Sequence, residues 1–205
     1  MSISKHLFCE RGYKKVTLRE IAAASEVNLG LLNYYFNGKG HLGMTIYLEV
    51  RNAMNAELSS CFPNRMGVEY FLLSSAAELM MCLNSPQYGD FYLNMSKEPL
   101  FKKDVNETII HTILKYAAQN SRSDRAVLSS LSIMATKPAL VEHFYTHPGL
   151  IPREAYLQYY LEIQIYNLDL GVEKRDELID AIRKFSFSMV NDFEPVIAPA
   201  PVQQA

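Results

Sequence analysis

Cysteine pairs, long apolar runs and strand-like alternation are all missing from this 205-residue chain. Cys9, Cys61 and Cys82 form no close-spaced pair. An odd number without a framework argues against a disulfide scaffold and fits a reducing compartment, where such residues behave as small buried hydrophobes. No uninterrupted apolar stretch reaches the roughly 18 residues that span a bilayer. The opening MSISKHLFCERG has no secretory apolar region. A cytoplasmic protein without a membrane partner is expected. No segment alternates β-branched residues between hairpin turns, which leaves an all-α reading. No pair of His, Cys, Asp or Glu has metal-binding spacing, and Glu142-His143 alone is not one. Nucleophile motifs, glycine-rich phosphate loops and paired carboxylates are also lacking, so no enzyme, cofactor or metal site is expected.

What the chain does have is apolar content of 49%, enough for one good core and for division into a small and a larger helical domain. Net charge is −2, but its distribution is uneven. Residues 1–51 hold seven basic side chains (Lys5, Arg11, Lys14, Lys15, Arg19, Lys39, Arg51) against four acids, a balance of +3. The remainder holds 13 basic and 18 acidic groups, a balance of −5. A mildly basic head on an acidic body suits a phosphate-binding module carried by a regulatory domain.

Apolar periodicity predicts a first helix over 2–11, stopped by Gly12. Thr17 and Glu20 form a capping box for a second helix, whose apolar stripe is Leu18, Ile21 and Ala22. Ser25-Glu26-Val27 is the turn, with Val27 expected as its buried plug. Asn28 caps a third helix, with Leu32, Tyr35 and Phe36 on one side and Leu29, Asn33 and Tyr34 elsewhere. Asn37-Gly38 breaks it, and a long helix runs from Gly40 towards Pro63. Further helices are expected over 65–84, 87–96, 102–119, 124–136, 139–145, 153–170 and 173–193. Pro138 separates two of them and Gly171 caps another. The last stretch, EPVIAPAPVQQA, is proline-rich and aperiodic, so 195–205 reads as a disordered tail. The division is 1–45, 46–194 and 195–205.

A helix-turn-helix lays its second helix in the major groove, about 12 Å wide, while the first crosses the backbone. Thr17 offers a hydroxyl and free amides at a helix N-terminus, where a phosphate is welcome. Gly30 lets backbone approach a base closely, and Asn33 pairs bidentately with adenine. Tyr34, Tyr35 and Lys39 reach phosphates, and Asn33 and Lys39 are expected to be exposed. Phe8, Gly12-Tyr13, Thr17, Ile21-Ala22, Val27, Gly30, Leu32, Tyr35-Phe36, Lys39 and Leu42 stand in the register F-x-x-x-G-Y, T-x-x-x-I-A, V-x-x-G-x-L-x-x-Y-F-x-x-K-x-x-L. This pattern resembles the N-terminal signature of the TetR family of transcriptional regulators, over about a fifth of the chain. The resemblance implies an all-helical two-fold dimer with an N-terminal three-helix DNA-binding domain and a larger helical ligand-binding and dimerisation domain. It further implies DNA contacts from Thr17, Asn28, Leu29, Gly30, Asn33, Tyr34, Tyr35 and Lys39.

The chain departs from the family at two places. It starts a few residues before its first helix, where a basic arm usually stands; either the arm is absent, weakening phosphate and minor-groove contacts, or the natural start is not in this sequence. Gly38-Lys39-Gly40-His41 also replaces a Ser-Lys-acid-acid step, and a glycine in a helix interior costs about 1 kcal/mol. That loosens the expected joint between head and body.

The body is rich in Tyr, Met and Phe, a lining suited to an apolar or aromatic small molecule. Tyr88, Phe91, Tyr92, Met95, His111, Tyr116, Met134 and His143 are its candidate contacts. Broad apolar faces on the last two helices, including Tyr156, Tyr159, Tyr160 and Ile163, then Ile182, Phe185 and Met189, suit a four-helix interface across a two-fold axis. The expected function is therefore a homodimeric repressor, released by a ligand from a near-palindromic double-stranded operator. The alternative is a small-molecule-binding or interaction protein of the same fold that has lost productive DNA binding.

Overall fold

The computed structural model describes residues 2–64, 66–116, 123–170 and 180. These residues are helical with no strand: α1 (Ser2–Arg11), α2 (Leu18–Ala24), α3 (Leu29–Phe36), α4 (Lys39–Cys61), α5 (Gly67–Asn84), α6 (Pro86–Met95), α7 (Pro99–Tyr116), α8 (Ser123–Thr146) and α9 (Arg153–Asn167). The expected helix over 173–193 and the tail over 195–205 lie outside the described residues, apart from Asp180, which is helical.

Local chemistry explains most of the helix ends. Gly12 takes φ +83° and its amide donates to Phe8 O at 3.0 Å, closing α1. The Thr17–Glu20 capping box forms as expected and starts α2. α2 ends in a Schellman pair: the Glu26 amide donates to Ala23 O and the Val27 amide to Ala22 O. The left-handed residue of that motif is Glu26, at φ 55°, not a glycine. Val27 is consequently 39% exposed, not a buried plug; it closes the turn with its backbone. α9 ends the same way. Asp169 adopts φ 55° and the Leu170 amide reaches Ile165 O, so the stop falls before Gly171 and the helix is shorter than 153–170. A short polar side chain tolerates that conformation better than most.

Two helices expected over 124–136 and 139–145 are one, with Pro138 inside α8. Proline removes one amide donor and leaves the Met134 carbonyl without its i+4 partner, at a cost of about 3 kcal/mol. Ile133 and Val141, on either side of it, are fully buried. Side chains of that type gain about 1.5–3 kcal/mol each on burial, so packing outweighs the local break.

The body is organised around α5, which touches α4, α6, α7, α8 and α9. Leu72, Leu73, Ala76, Leu79, Met80 and Cys82 on it are all within 1% of complete burial. The head, α1 to α3, rests on α4 and α6, and its core is continuous with that of the body. The expected boundary at 45/46 falls within α4, whose single run of 23 residues serves both units. Among the described residues no helix is long and apolar enough to cross a membrane.

Candidate functional site

The outward face of α3 is built on one buried anchor, Leu32, with Leu29 and Phe36 half-buried beside it. Asn28 Oδ1 accepts from the Gly30 amide at 2.7 Å and holds the first turn. A Cβ on Gly30 would stand 2.9 Å from that oxygen, so glycine here makes room for the cap. The face then presents Asn33, Tyr34 and Tyr35, with Leu31 beside them. Tyr34 and Tyr35 are 82% and 71% exposed and meet edge to face with ring centres 5.6 Å apart. Tyr35 thus points out and does not share the packed side of Leu32. Leu31, 48% exposed, escaped the sequence reading because an isolated leucine beside another leucine looks like core. Thr17 is exposed at the head of α2. Its hydroxyl donates to Glu20 Oε2 at 2.7 Å while accepting from the Glu20 amide.

Lys39 is placed differently from expectation. It is half-buried, with Nζ 4.4 Å from the centre of the Tyr13 ring and donating to Lys14 O at 3.4 Å. Burial lowers its pKa, opposed by Glu98 and Glu20. Its ammonium closes the loop between α1 and α2. Tyr13 is buried between Phe8 and Phe91 and donates to Glu98 Oε1 at 3.1 Å. Gly38, at φ +106°, precedes α4 and is not a helix-interior glycine. Gly40 faces Glu98, whose Oε2 would lie 3.2 Å from an added Cβ. Gly43 makes the closest approach in this seam, where a Cβ would stand 2.5 Å from Met95 Sδ and 2.9 Å from the Tyr13 ring. Of the two glycines that suggested a loose joint, Gly40 lies against Glu98 in this seam, while a Cβ on Gly38 would meet nothing within 4 Å.

A narrow cavity of about 40 Å³ lies among α4, α5, α6, α7, α8 and α9. Its charged lining is Arg51, Glu78 and Lys137. Glu78 and Lys137 are buried and ion-paired, and Tyr47 also hydrogen-bonds to Glu78. Burial alone would raise the Glu78 carboxyl; Lys137 and Arg51 outweigh it and hold it below its ordinary value. Burial would likewise lower Lys137, and Glu78 reverses this. Tyr160 shares a 2.7 Å hydrogen bond with Ser75, and the Lys137 ammonium sits 5.5 Å from its ring centre. Phe71, Phe101, Val105, Ile109, Ile133 and Met134 supply apolar wall.

Of the side chains expected at a ligand, Tyr92 and Met134 line this cavity. Tyr88 is buried behind it, with its hydroxyl 3.5 Å from Glu78 Oε1. Phe91 and Met95 fill the head–body seam against Tyr13 and Gly43. His111 is exposed on α7, and Tyr116 packs beside Gly67. His143 Nδ1 lies 2.8 Å from the Tyr156 hydroxyl and the ring stacks on His147, in a separate open groove with Leu140, Ile151 and Tyr159. The expected outward face of α9 is also narrower. Tyr156 and Tyr160 are 3% and 1% exposed within one protomer, because they close its own core. Tyr159 and Tyr166 remain outward and Ile163 is half-buried. Ile182, Phe185 and Met189 lie outside the described residues. Among the described residues no group of three or more His, Cys, Asp or Glu could hold a metal ion.

Residues 3–42 match the family model for bacterial regulatory proteins of the tetR family. A solved structure described as a gamma-butyrolactone receptor (ArpA like protein) aligns over 91% of this chain and 94% of that one, at 19% identity and a TM-score of 0.47. That likeness is too distant to carry a ligand across. No curated protein matches the chain.

Proposed function

We propose that this chain, whose residues 3–42 match the tetR family model, is a TetR-family transcriptional regulator that acts as a homodimeric repressor released by a small ligand from a near-palindromic operator. The observation that carries the reading is the α3 face: an exposed row of Leu31, Asn33, Tyr34 and Tyr35 on a helix pinned by Leu32 and capped by Asn28. A rigid helix with a polar and aromatic outer edge is what a major groove admits. Asn33 pairs with adenine, Leu29 and Leu31 meet thymine methyls, and Asn28 and Gly30 set the depth of entry. Thr17, Tyr34, Tyr35 and Lys39 take phosphates, with Lys14 and Lys15 nearby. Residues 1–45 act as the reading head and 46–194 as the sensing and dimerising body. Tyr159, Ile163 and Tyr166, together with Ile182, Phe185 and Met189, form the two-fold interface. Two heads then read half-sites about 34–36 Å apart or a multiple of that. Ligand and operator oppose each other by the same factor, since the coupling is reciprocal.

The test is fluorescence anisotropy with DNA flanking its own gene, at 50 and 200 mM salt. A dimer neutralising six or more phosphates loses about 1,000-fold in affinity across that range. Asn33→Ala with Tyr34→Ala, both exposed and therefore foldable, costs at least about 10-fold on the specific site. Undiminished binding by the double variant, or no salt-dependent binding to any flanking DNA, overturns the reading.

A further inference from the structure

We propose that the cavity among α4 to α9 is the effector site and that its ligand is a small organic monoanion, held by its carboxylate between Arg51 and Lys137. This rests on the reading of the chain as a ligand-responsive regulator and adds the chemistry of the ligand.

The first argument is charge. Among the described residues, two cations and one carboxylate line the cavity, which leaves an unbalanced charge of +1. The other titratable groups nearby supply no hidden anion. Tyr47, Tyr92 and Tyr160 in the wall, and Tyr88 and Cys82 behind it, all have pKa values pushed up by burial and stay neutral. Arg51 remains a guanidinium, since its hydrogen bond to Tyr47 and the Glu78 carboxylate beside it offset its burial. Glu78 and Lys137 are buried as a pair, so the excess charge sits on the half-buried Arg51, where a counter-charge is favoured as far as water is excluded. A carboxylate restores neutrality and matches the planar fork of arginine.

The second argument is space. About 40 Å³ holds a carboxylate and a very short tail, not a large ring system. Phe101 and Met134 are part of the apolar wall, and methionine yields readily to an added methylene. The apolar aromatic ligand expected from the sequence lacks the charge this lining needs. A short aliphatic acid has both the charge and the size.

The third argument is coupling. Lys137 immediately precedes Pro138, where α8 lacks one backbone hydrogen bond. A carboxylate that draws Lys137 away from Glu78 pulls on the turn of α8 in which Pro138 leaves one carbonyl without its helical donor. The charge change is local, and the element it biases is identifiable.

Isothermal titration of the full-length protein with sodium acetate and sodium butyrate, against acetamide and butyramide at matched ionic strength, tests this. Saturable binding of the acids with a raised melting temperature, and none of the amides, is expected. Arg51→Gln weakens butyrate at least 10-fold, and circular dichroism reports its folding. If Arg51→Gln does not fold, Arg51→Lys keeps the charge, loses the fork and weakens butyrate several-fold. Equal binding of acid and amide, unchanged butyrate affinity in the folded variant, or no binding of either acid by protein that still binds operator overturns the proposal. Butyrate that binds without releasing operator DNA leaves the site intact and overturns only the ligand-released repressor.

Discussion

Tyr13 donates its hydroxyl to Glu98 Oε1 at 3.1 Å, joining the loop that precedes the capping box of α2 to the residue that precedes α7. The same hydroxyl lies 3.4 Å from Lys39 O, and the Lys39 ammonium covers the ring. Head and body are therefore pinned at one aromatic side chain. Tyr13→Phe removes a net hydrogen bond of about 1 kcal/mol. That corresponds to a fall of about 2–4 °C in melting temperature for a chain of this size. Operator affinity should fall with it, because the position of Lys39 and α4 is set here. Differential scanning calorimetry and anisotropy on the same preparation check both. A variant unchanged in both removes Tyr13 from this role.

Glu26 occupies the left-handed position of the turn between α2 and α3, where a side chain costs about 1–2 kcal/mol. Glu26→Gly should therefore stabilise the protein, offset in part by the freedom glycine gains in the unfolded chain. A rise of a few degrees in melting temperature is expected. Asn37, also left-handed at φ 47°, is a residue type that tolerates this region, so Asn37→Gly should change little. Equal responses at the two sites would mean that backbone strain is not the cause.

Lys137→Met leaves Glu78 buried with only Arg51 to oppose it, and should cost about 3–5 kcal/mol in urea denaturation. Glu78→Gln combined with Lys137→Met should recover most of that loss. The pair also sets a pH window. Glu78 titrates lower folded than unfolded, so its contribution is complete above about pH 4.3 and is lost as pH falls towards its folded value. Lys137 titrates higher folded than unfolded, so its contribution is complete below about pH 10.4 and is lost above it. Melting curves between pH 3 and 7 should show the wild type losing stability more steeply than the double variant below about pH 4.3. Parallel curves would contradict the coupling.

Gly89 and Gly43 both lack room for a methyl group, but their neighbours differ. At Gly89 a Cβ would stand 2.8 Å from the Cys82 carbonyl oxygen, which is backbone and cannot move aside. At Gly43 the nearest atom is a methionine sulfur at the end of a flexible side chain. Gly89→Ala should reach or exceed the upper end of the roughly 1–3 kcal/mol that overpacking costs, and Gly43→Ala should lie nearer the lower end. Chemical denaturation of the two variants ranks them directly.

Gln164 is completely buried on α9, and among the described residues neither its amide nitrogen nor its oxygen has a partner. Replacing it with the similarly shaped Met removes that desolvation, worth about 1–3 kcal/mol. Gln164→Met should melt higher than wild type; a lower melting temperature would show that the amide does bond in solution.

These positions also show which parts of the structure were readable in advance. The capping box at Thr17, the cap at Asn28 and the α3 helix rest on local bonds within four residues, and local bonds leave a local pattern. Pro138 misled because a proline's cost is local while the packing of Ile133 and Val141 that overrides it is not. Glu26 took the glycine role in one turn without any marker in its type, and Asp169 took it in another two residues ahead of the glycine that the sequence offered. Tyr156 and Tyr160 share the helical period of Tyr159, and only the other helices decide which of them is covered. The Glu78–Lys137 pair joins residues 59 positions apart, beyond any periodicity. Its one trace is that Glu78 is the only charged residue from 70 to 89, an acid set in the mostly apolar second half of α5.

α4 runs without a break from Lys39 beside α3 to Arg51 in the cavity wall and on to Cys61. Twelve residues separate Lys39 from Arg51, about 18 Å of stiff rod at 1.5 Å per residue. A tilt of about 10° pivoting at Arg51 carries the far end by about 3 Å over that length. In the proposed two-fold dimer the displacement doubles to about 6 Å, against a groove repeat of about 34 Å. In the proposed ligand-released repressor the cavity lies at the pivot of this rod and the reading head at its far end, so a small tilt imposed at Arg51 would become a mismatch of nearly a fifth of a helical turn at the DNA.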